Sequence, residues 1–424
     1  MGLRRGSRPS QRDDTELNLM GSGVCRSVAV PLALIDSDSI FRGRILRDCM
    51  IGDLIIRNGI VVGFEPTENE VQGIVTPRLT EAHCHLDKCH TIDRLVVTGG
   101  SLLEAISAQE QDKIHWTAED IRKRAERGLS ELFDAGCRFV RTHVDCRLDP
   151  SQPSRMPLAW EILGELAQEW RNRLSLQRAA LLPIDDCTDA ISTRTLARRI
   201  AADKGALGAF ILDQSVRSEG IATLVRVAGD IGVPLDFHVD ESIGTALDGL
   251  CRIAEAVISF DYEGPVLCGH ACSLMDVNGD NLKRRLDQVA AAGLSIVSLP
   301  ASNLLLQSRG NGTPDRRGIT RVKELMARGI PVSFGSDNVR DAFAPIGRHD
   351  PLHSLYLGIL GAQLEQPLAQ WISCITLNAQ IGVEGSAPLL GGARADDLLF
   401  WPVPSASELL SIRPSPRSLV LERG

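Results

Sequence analysis

The segment EAHCHLDKCH, at positions 81–90, combines three histidines, two cysteines and an aspartate. His83 and His85 in it are separated by a single residue. On a β-strand, whose side chains alternate between two faces, both imidazoles point to the same side, and Cys84 points to the other. The pair can therefore bind one metal ion. Because a His-x-His pair alone is a weak signal, the other ligands must come from distant parts of the chain.

Length, charge and cysteine content restrict the class of protein. The chain has 424 residues, of which 43% are hydrophobic, which suits one large barrel or two to three domains. A formal charge of −8 argues against a nucleic-acid partner. No apolar run approaches the ~18 residues that a membrane-spanning helix needs, so no membrane partner is expected. Eleven cysteines, an odd number scattered through the chain without a framework of close pairs, favour reduced thiols and a cytoplasmic location.

Eight short apolar runs alternate with helical patterns from residue 75 onward. The runs are GIVTPRLTEAH, CRFVRTHVD, LQRAALLPID, ALGAFILD, VPLDFHVD, GPVLCGHAC, LSIVSLP and IPVSFGSDN. This alternation predicts an α/β fold, a parallel (β/α)8 TIM-type barrel. A doubly wound sheet also alternates, but it would require a Gly-rich phosphate loop after its first strand, and the sequence has none.

The two ends of the chain differ from this central part. Residues 24–75 and 386–424 contain short β-like alternations with glycine turns, and we expect them to meet in one small β-sandwich domain. The barrel would then occupy residues 76–385. Residues 1–23 are polar, lack the apolar stretch of a secretory signal and are expected to form a disordered tail.

Histidines concentrate where a barrel carries its active site, at the C-terminal ends of the strands. Five of the nine histidines end one of the runs, namely His83, His85, His143, His238 and His270. With Asp337 after the eighth run, His83, His85 and His238 would complete a set of three nitrogens and one oxygen. Such a set leaves a position open for water, as a catalytic metal site requires.

The motifs EAHCHLD, RTHVD, FHVDE, CGHACSL and PDRRGITRVKELMARGIPVSFGSDNVRDAF resemble the cytosine deaminase branch of the amidohydrolase superfamily. The resemblance extends from about residue 50 to the C-terminus. It implies that His83, His85, His238 and Asp337 bind one divalent ion, zinc or iron. It implies an enzyme that hydrolyses a carbon–nitrogen bond, releasing the exocyclic amine of a small cyclic amidine or aminated N-heterocycle.

The same resemblance implies three catalytic residues. Glu241 would carry a proton to the ring nitrogen, His270 would orient the attacking water, and Asp337 would accept that water's proton. His143 belongs to the family pattern with either a direct or a supporting role. His90 and His115 lie away from the strand ends and are expected to be surface histidines. The chain has no P-C-x-x-C motif, which excludes the other architecture of zinc deaminase.

The residues expected to contact the substrate depart from the cytosine deaminase pattern. Ile184 stands where a glutamine would read the pyrimidine edge, and Asp185 or Asp186 could supply recognition in its place. Asn338 replaces the second of two aspartates, and Phe343 replaces a tryptophan that packs on the ring. Cytosine is therefore expected to be a poor substrate.

Two alternatives remain open from the sequence. One is hydrolysis of another carbon–nitrogen bond, in a ring amide or an alkylamino-triazine. The other, from a different class, is an inactive relative retained as a binding protein. For the enzyme we expect a small-molecule N-heterocycle as the binding partner and a homo-oligomeric assembly.

Overall fold

A computed structural model describes residues 21–35, 40–95, 101–244, 246–309, 312–377 and 390–422. Most of the predicted tail at 1–23, and the predicted domain boundary between residues 385 and 386, lie outside these ranges. Among the residues described, no helix combines the length and the apolar character needed to span a membrane.

The described residues form fourteen strands and eleven α-helices. The strands are β1 (Gly23–Pro31), β2 (Arg44–Leu46), β3 (Cys49–Arg57), β4 (Ile60–Pro66), β5 (Gly73–Pro77), β6 (Leu79–Cys84), β7 (Cys137–Asp145), β8 (Ser175–Pro183), β9 (Ala206–Ile211), β10 (Leu235–Val239), β11 (Val266–His270), β12 (Ser295–Ser298), β13 (Val332–Phe334) and β14 (Leu398–Trp401). The helices are α1 (Leu102–Asp112), α2 (Ala118–Asp134), α3 (Leu158–Trp170), α4 (Ala190–Ala202), α5 (Arg217–Ile231), α6 (Gly249–Ser259), α7 (Gly279–Ala291), α8 (Pro300–Leu306), α9 (Val322–Met326), α10 (Pro351–Ala362) and α11 (Ala406–Ile412).

Eight of the strands form the predicted parallel barrel. Strands β6 to β13 lie side by side in sequence order, each with a helix or a loop before the next. The last and first strands meet through a hydrogen bond of 2.8 Å from the backbone N–H of Asp337 to the carbonyl of His83. The barrel prediction and its eight strands are confirmed, and the C-terminal ends of all eight strands face one end of the barrel.

The remaining six strands form one mixed sheet from both ends of the chain. Its order is β14-β5-β1-β3-β2, with β4 also paired to β3. Strand β14 runs antiparallel to β5, and the Trp401 indole N–H donates to the Thr76 hydroxyl at 2.9 Å. A small β domain built from both ends is therefore confirmed. The expected sandwich is corrected to a single sheet in the described part of the chain.

The junction between the two sheets divides the first apolar run. Residues Gly73–Pro77 belong to the small sheet, whereas Leu79–Cys84 belong to the barrel. Arg78 lies between them, and its backbone N–H and its Nε donate to the carbonyls of Asp397 and Asp396, each at 2.9 Å. The change of sheet falls at Arg78, a few residues after the expected boundary at 75, because the run is long enough for two strands.

The helices cover the barrel through amphipathic faces. In α2 the buried residues Ile121, Ala125, Leu129 and Leu132 recur at helical spacing, and the Thr117 hydroxyl accepts from the N–H of Asp120 at the N-terminus. The helix ends before Gly136, whose φ of +94° turns the chain into β7. This packing buries the outer faces of the strands and leaves the strand ends to form the site.

Candidate active site

Six acidic or imidazole side chains converge at the C-terminal end of the barrel, and all six are buried. They come from β6 and the residue after it, from β7, β10 and β11, and from the turn after β13. They are His83, His85, His143, His238, His270 and Asp337. The strand-end positions predicted from the sequence thus lie together in space.

The distances between their ligand atoms suit one common ion. The Nε2 atoms of His85 and His83 lie 3.3 and 3.4 Å from Oδ1 of Asp337, and Nε2 of His238 lies 3.2 Å from Nε2 of His85. Two ligands on one ion, each bound at roughly 2.1 Å and separated by about 90–110° at the metal, lie about 3.0–3.4 Å apart, and this arrangement leaves a fifth position for water. The four predicted ligands therefore fit a single divalent metal ion.

The hydrogen bonding of these groups also fits a metal. Both carboxylate oxygens of Asp337 and both ring nitrogens of His83 are buried and make no hydrogen bond within the described residues. Burying an unpaired carboxylate is costly, and a cation compensates for it. Burial and the neighbouring imidazoles hold the pKa of His238 well below its usual range, so its ring is neutral, which is the form that binds a metal.

His143 lies against the predicted ligands and is held by a buried acid. Its ring centroid is 3.9 Å from that of His83, and its Nε2 lies 2.9 Å from Oδ1 of Asp236. The other oxygen of Asp236 accepts from Arg141 at 2.8 Å. Nδ1 of His143 makes no hydrogen bond in the described structure, so both roles considered for it remain compatible with the geometry. Sequence reasoning missed Asp236, although it shares a strand face with His238, two residues away.

A buried carboxylate positions the strand ends that carry the ligands. Glu81 accepts from the N–H of His83 at 3.1 Å, from the N–H of Ser336 at 3.1 Å and from the Ser336 hydroxyl at 2.7 Å. It thereby ties the first strand of the barrel to the turn that holds Asp337. Sequence analysis did not single out Glu81, because its partner lies 255 positions away.

Backbone conformation at the strand ends is unusual. Asp240, His270, Ala271 and Asp337 all have positive φ angles, between +49° and +71°. Side chains other than glycine pay roughly 1–2 kcal/mol for this conformation, which is typical of functional sites. Asp240 itself accepts from the N–H groups of Gly249 and Leu250, so it anchors α6.

Glu241 and His270 lie next to the ligand cluster. Oε1 of Glu241 is 3.4 Å from Nδ1 of His270, and that nitrogen is 3.1 Å from Nδ2 of Asn303. Burial, together with the nearby charge of Asp337, raises the pKa of Glu241 well above its usual range. Burial lowers the pKa of His270 to about 3. A protonated Glu241 beside a neutral imidazole is able to donate a proton to a bound ring nitrogen.

A pocket opens above the cluster toward solvent. Its polar lining includes the Lys88–Asp145 ion pair, whose Nζ and Oδ1 atoms are 2.6 Å apart. Apolar side chains form much of its wall. The lining residues are Leu102, Ile106, Gln109, Glu110, Lys113, Cys146, Arg147, Leu181, Pro183, Phe210, Ile211, Leu212, Asn338 and Phe343, together with Lys88, Asp145, His85, His238, Glu241, His270 and Asp337.

The predicted substrate contacts divide into two groups. Asn338 and Phe343 line the pocket, and Nζ of Lys88 lies 5.6 Å from the Phe343 ring centroid. Ile184 and Asp185 do not line it, and their predicted placement is corrected. Strand β8 ends at Pro183 and turns into a 3-10 helix.

Ile184 and Asp185 are the first two residues of this 3-10 helix, and neither belongs to the pocket lining. The Ile184 side chain is buried against Gly220 of α5, and Asp185 is exposed. Asp186 accepts from the N–H of Leu148. The wall from β8 is formed by Leu181 and Pro183. The argument that Ile184 excludes cytosine therefore has no support in the structure.

His90 is not a surface residue, whereas His115 is exposed as expected. The His90 side chain is 4% exposed and lies 3.4 Å from Oε2 of Glu131, which is 2.9 Å from Nδ1 of His349. The prediction for His90 is wrong because the chain turns inward there: its backbone N–H donates to the carbonyl of Val339.

Sequence reasoning also missed Gln109, a buried residue of α1 that lines the pocket. The pocket-lining residues of this helix recur at helical spacing, at positions 102, 106, 109 and 110. A glutamine on an otherwise largely apolar face was the available signal.

The chain is similar to known hydrolases over most of its length. The model of the amidohydrolase family matches residues 151–396. A pterin deaminase of Rhizobium rhizogenes is 32% identical over 394 residues, which cover 90% of this chain and 88% of that protein. The N-isopropylammelide isopropyl amidohydrolase of Pseudomonas sp. strain ADP is 24% identical over 312 residues, 71% of this chain and 72% of that protein.

The fold is also found in a solved structure. The 5-methylcytosine deaminase of Klebsiella pneumoniae, bound to 5-fluorocytosine, superposes with a TM-score of 0.73 at 24% identity, covering 93% of this chain and 96% of that one. At this identity the likeness establishes the common architecture of barrel and small β domain.

Proposed function

Because this chain belongs to the amidohydrolase family, we propose that it is a metal-dependent deaminase of aminated N-heterocycles and that its substrate is a pterin. The observation that carries the deaminase assignment is the buried ligand set with Glu241 beside it, at the base of one pocket. A pterin carries its amine on a carbon between two ring nitrogens, which makes it a cyclic amidine. The 32% identity to a pterin deaminase supports this substrate class.

The proposed cofactor is one divalent ion, zinc or iron, held by His83, His85, His238 and Asp337. When bound, such an ion lowers the pKa of a coordinated water from 15.7 to about 7 and so supplies a nucleophile at neutral pH. The donor set of three imidazoles and one carboxylate suits either metal.

The protein's own residues would move the protons of the reaction. Asp337 takes a proton from the attacking water, and His270 orients that water. Glu241 protonates the ring nitrogen next to the carbon that carries the amine. The water oxygen bonds to this carbon, Asp337 passes the proton it took from the water to the amine, and the bond to the amine breaks to release ammonia. The added hydroxyl returns its proton to Glu241 as the carbonyl forms. General acid–base steps of this kind contribute ~10²–10⁴-fold to the rate.

A second candidate is hydrolysis of an alkylamino group from a triazine, and the similarity to the N-isopropylammelide enzyme favours it. The two reactions differ in their leaving group, which is ammonia in one and an alkylamine in the other. We further propose that the enzyme is homo-oligomeric. We also propose that it is located in the cytoplasm, in line with the cysteine usage of the chain.

Ammonia release from defined substrates tests the proposal. The protein is loaded separately with zinc and with iron and incubated with pterin, cytosine and N-isopropylammelide, and the His238→Ala variant serves as the blank. We expect ammonia and the 2,4-dioxopteridine from pterin, with a kcat/KM at least ~10²-fold above that for cytosine. Isopropylamine from the triazine without ammonia from pterin would establish the second candidate. No product from any substrate would identify an inactive relative.

A further inference from the structure

The side chain of Gln109 is buried in the wall of the pocket that contains the predicted ligands. It projects from α1, is 2% exposed and lines the same pocket as His238 and Glu241. The neighbouring Gln111 on the same helix is exposed, and its Nε2 lies 3.5 Å from the Ser107 hydroxyl. The two glutamines thus occupy different environments although they are two residues apart.

Both polar atoms of the Gln109 amide lack a partner in the part of the chain that the structure describes. Neither Nε2 nor Oε1 makes a hydrogen bond within the described residues. A buried amide without partners costs free energy, which a protein recovers when a ligand supplies the missing donor and acceptor. Replacing it with an apolar side chain of similar size would remove that cost, so folding alone does not account for a glutamine here.

Charged residues around Gln109 are engaged with one another. Lys88 pairs with Asp145 at 2.6 Å, and Lys113 pairs with Glu110 and approaches Asp145 at 3.4 Å. The apolar residues Leu181 and Pro183 line the same pocket. The Gln109 amide is therefore a polar group of this lining that can form hydrogen bonds with a bound molecule.

We propose that Gln109 is a specificity-determining residue that reads the lactam edge of the substrate, a ring N–H next to a carbonyl. A carboxamide offers one acceptor and two donors side by side, so Oε1 accepts from the ring N–H while Nε2 donates to the carbonyl. A pterin carries this edge beside the amine-bearing carbon. The inference rests on the proposed deaminase function and names the residue of α1 that selects its substrate.

The test compares two substrates in two variants of the metal-loaded enzyme. Pterin carries the lactam, whereas 2-aminopteridine keeps the amine but lacks both the carbonyl and the adjacent N–H. In Gln109→Leu we expect kcat/KM for pterin to fall by about 10²-fold, since two hydrogen bonds are lost. For 2-aminopteridine we expect a change of less than about threefold. The matched control Gln111→Leu should alter neither value.

Two further readouts separate recognition from folding and from activity. Competitive inhibition by the 2,4-dioxopteridine, which retains the lactam, should weaken by a similar factor in Gln109→Leu. The Tm of that variant should stay level or rise, because an unpaired buried amide is replaced by an apolar group. A lowered Tm with equal losses on both substrates would assign Gln109 a structural role and overturn the proposal.

The outcome also distinguishes this inference from the proposed function. If the unmodified enzyme deaminates pterin and Gln109→Leu does so equally well, the function stands and Gln109 is not the reader of the lactam. If the unmodified enzyme leaves pterin unchanged while it deaminates 2-aminopteridine, the lactam is not required, and both the pterin assignment and the role of Gln109 are wrong.

Discussion

At the scale of single residues, the spacing of His83 and His85 determines which groups can meet at one ion. Cys84 between them points out of the barrel, with its Sγ 3.5 Å from the carbonyl of Arg141. Burial raises the pKa of that thiol well above its usual value, so it remains a protonated, inert thiol. The two predicted ligands of this segment, His83 on β6 and His85 directly after it, are therefore both imidazoles, and the thiol between them takes no part.

The first prediction concerns metal content. The protein should hold one divalent ion per chain, and His83→Ala or His238→Ala should lose both the ion and the activity because each removes one of four ligands. Elemental analysis after dialysis measures the content. The exposed His115→Ala variant is the control and should retain the ion. Two ions per chain in the native protein would contradict the single-metal assignment.

A second prediction isolates the proton carrier. Glu241→Gln should retain the metal, because the residue is not a ligand, yet lose at least ~10²-fold in kcat, because an amide cannot transfer the proton. Steady-state kinetics and elemental analysis on the same sample provide both values. Glu65→Gln, an exposed position on β4, is the matched control. Near-normal turnover of Glu241→Gln would remove this residue from the mechanism.

The sequence predicted the site residues at strand ends, but it did not predict those that lie on a helix or act through a distant turn. The four ligand candidates sit at strand ends, which the barrel pattern locates directly. Gln109 reaches the pocket from a helix, and Glu81 acts on a turn distant in sequence, so neither position follows from a local pattern. Ile184 was misplaced because β8 ends at Pro183, two residues before the predicted run LQRAALLPID ends, and the chain enters a 3-10 helix at Ile184.

At the scale of elements, close strand pairing places His238 in the barrel. Residues of β9 and β10 pair in register, with Gly208 opposite Asp236 and Phe210 opposite His238. A Cβ atom at Gly208 would overlap the carbonyl oxygen of Asp236, and it would lie 3.1 Å from that of Ala180. A glycine at position 208 therefore lets β9 lie close against the backbone of β10, the strand that carries Asp236 and His238.

The third prediction follows from this contact. Gly208→Ala should destabilise the protein by about 1–3 kcal/mol and weaken metal retention, because the backbone of β10 must move away. The control is Gly229→Ala in α5, where the added methyl group would meet a single atom of Tyr262 at an ordinary 3.6 Å. Thermal unfolding followed by circular dichroism compares the two variants. Equal Tm values for both would show that β9 and β10 tolerate the separation.

At the scale of the whole molecule, the chain ends are joined by long-range pairing that the sequence suggests only in outline. The β-like alternation of both ends predicted a shared domain, but nothing local specifies that β14 pairs with β5. In that pairing Trp401 lies opposite Ile74 and is 1% exposed. The amidohydrolase barrel is thus flanked by a sheet built from residues 23–77 and from β14.

The last prediction is that the metal stabilises the entire barrel. Its ligands lie on β6, on β10 and in the turn after β13, so the ion would join the first, fifth and eighth strands of the barrel. An ion present at 100 times its Kd adds about 2.7 kcal/mol to the free energy of unfolding, which corresponds to roughly 3 °C in Tm for a chain of this length. Chelation should therefore lower the Tm measured by calorimetry, and adding zinc back should restore it. The double variant His83→Ala/His238→Ala should unfold at the same temperature with or without chelator. An unchanged Tm in the native protein, with elemental analysis confirming that the metal has been removed, would show that the strand ends hold together without the ion.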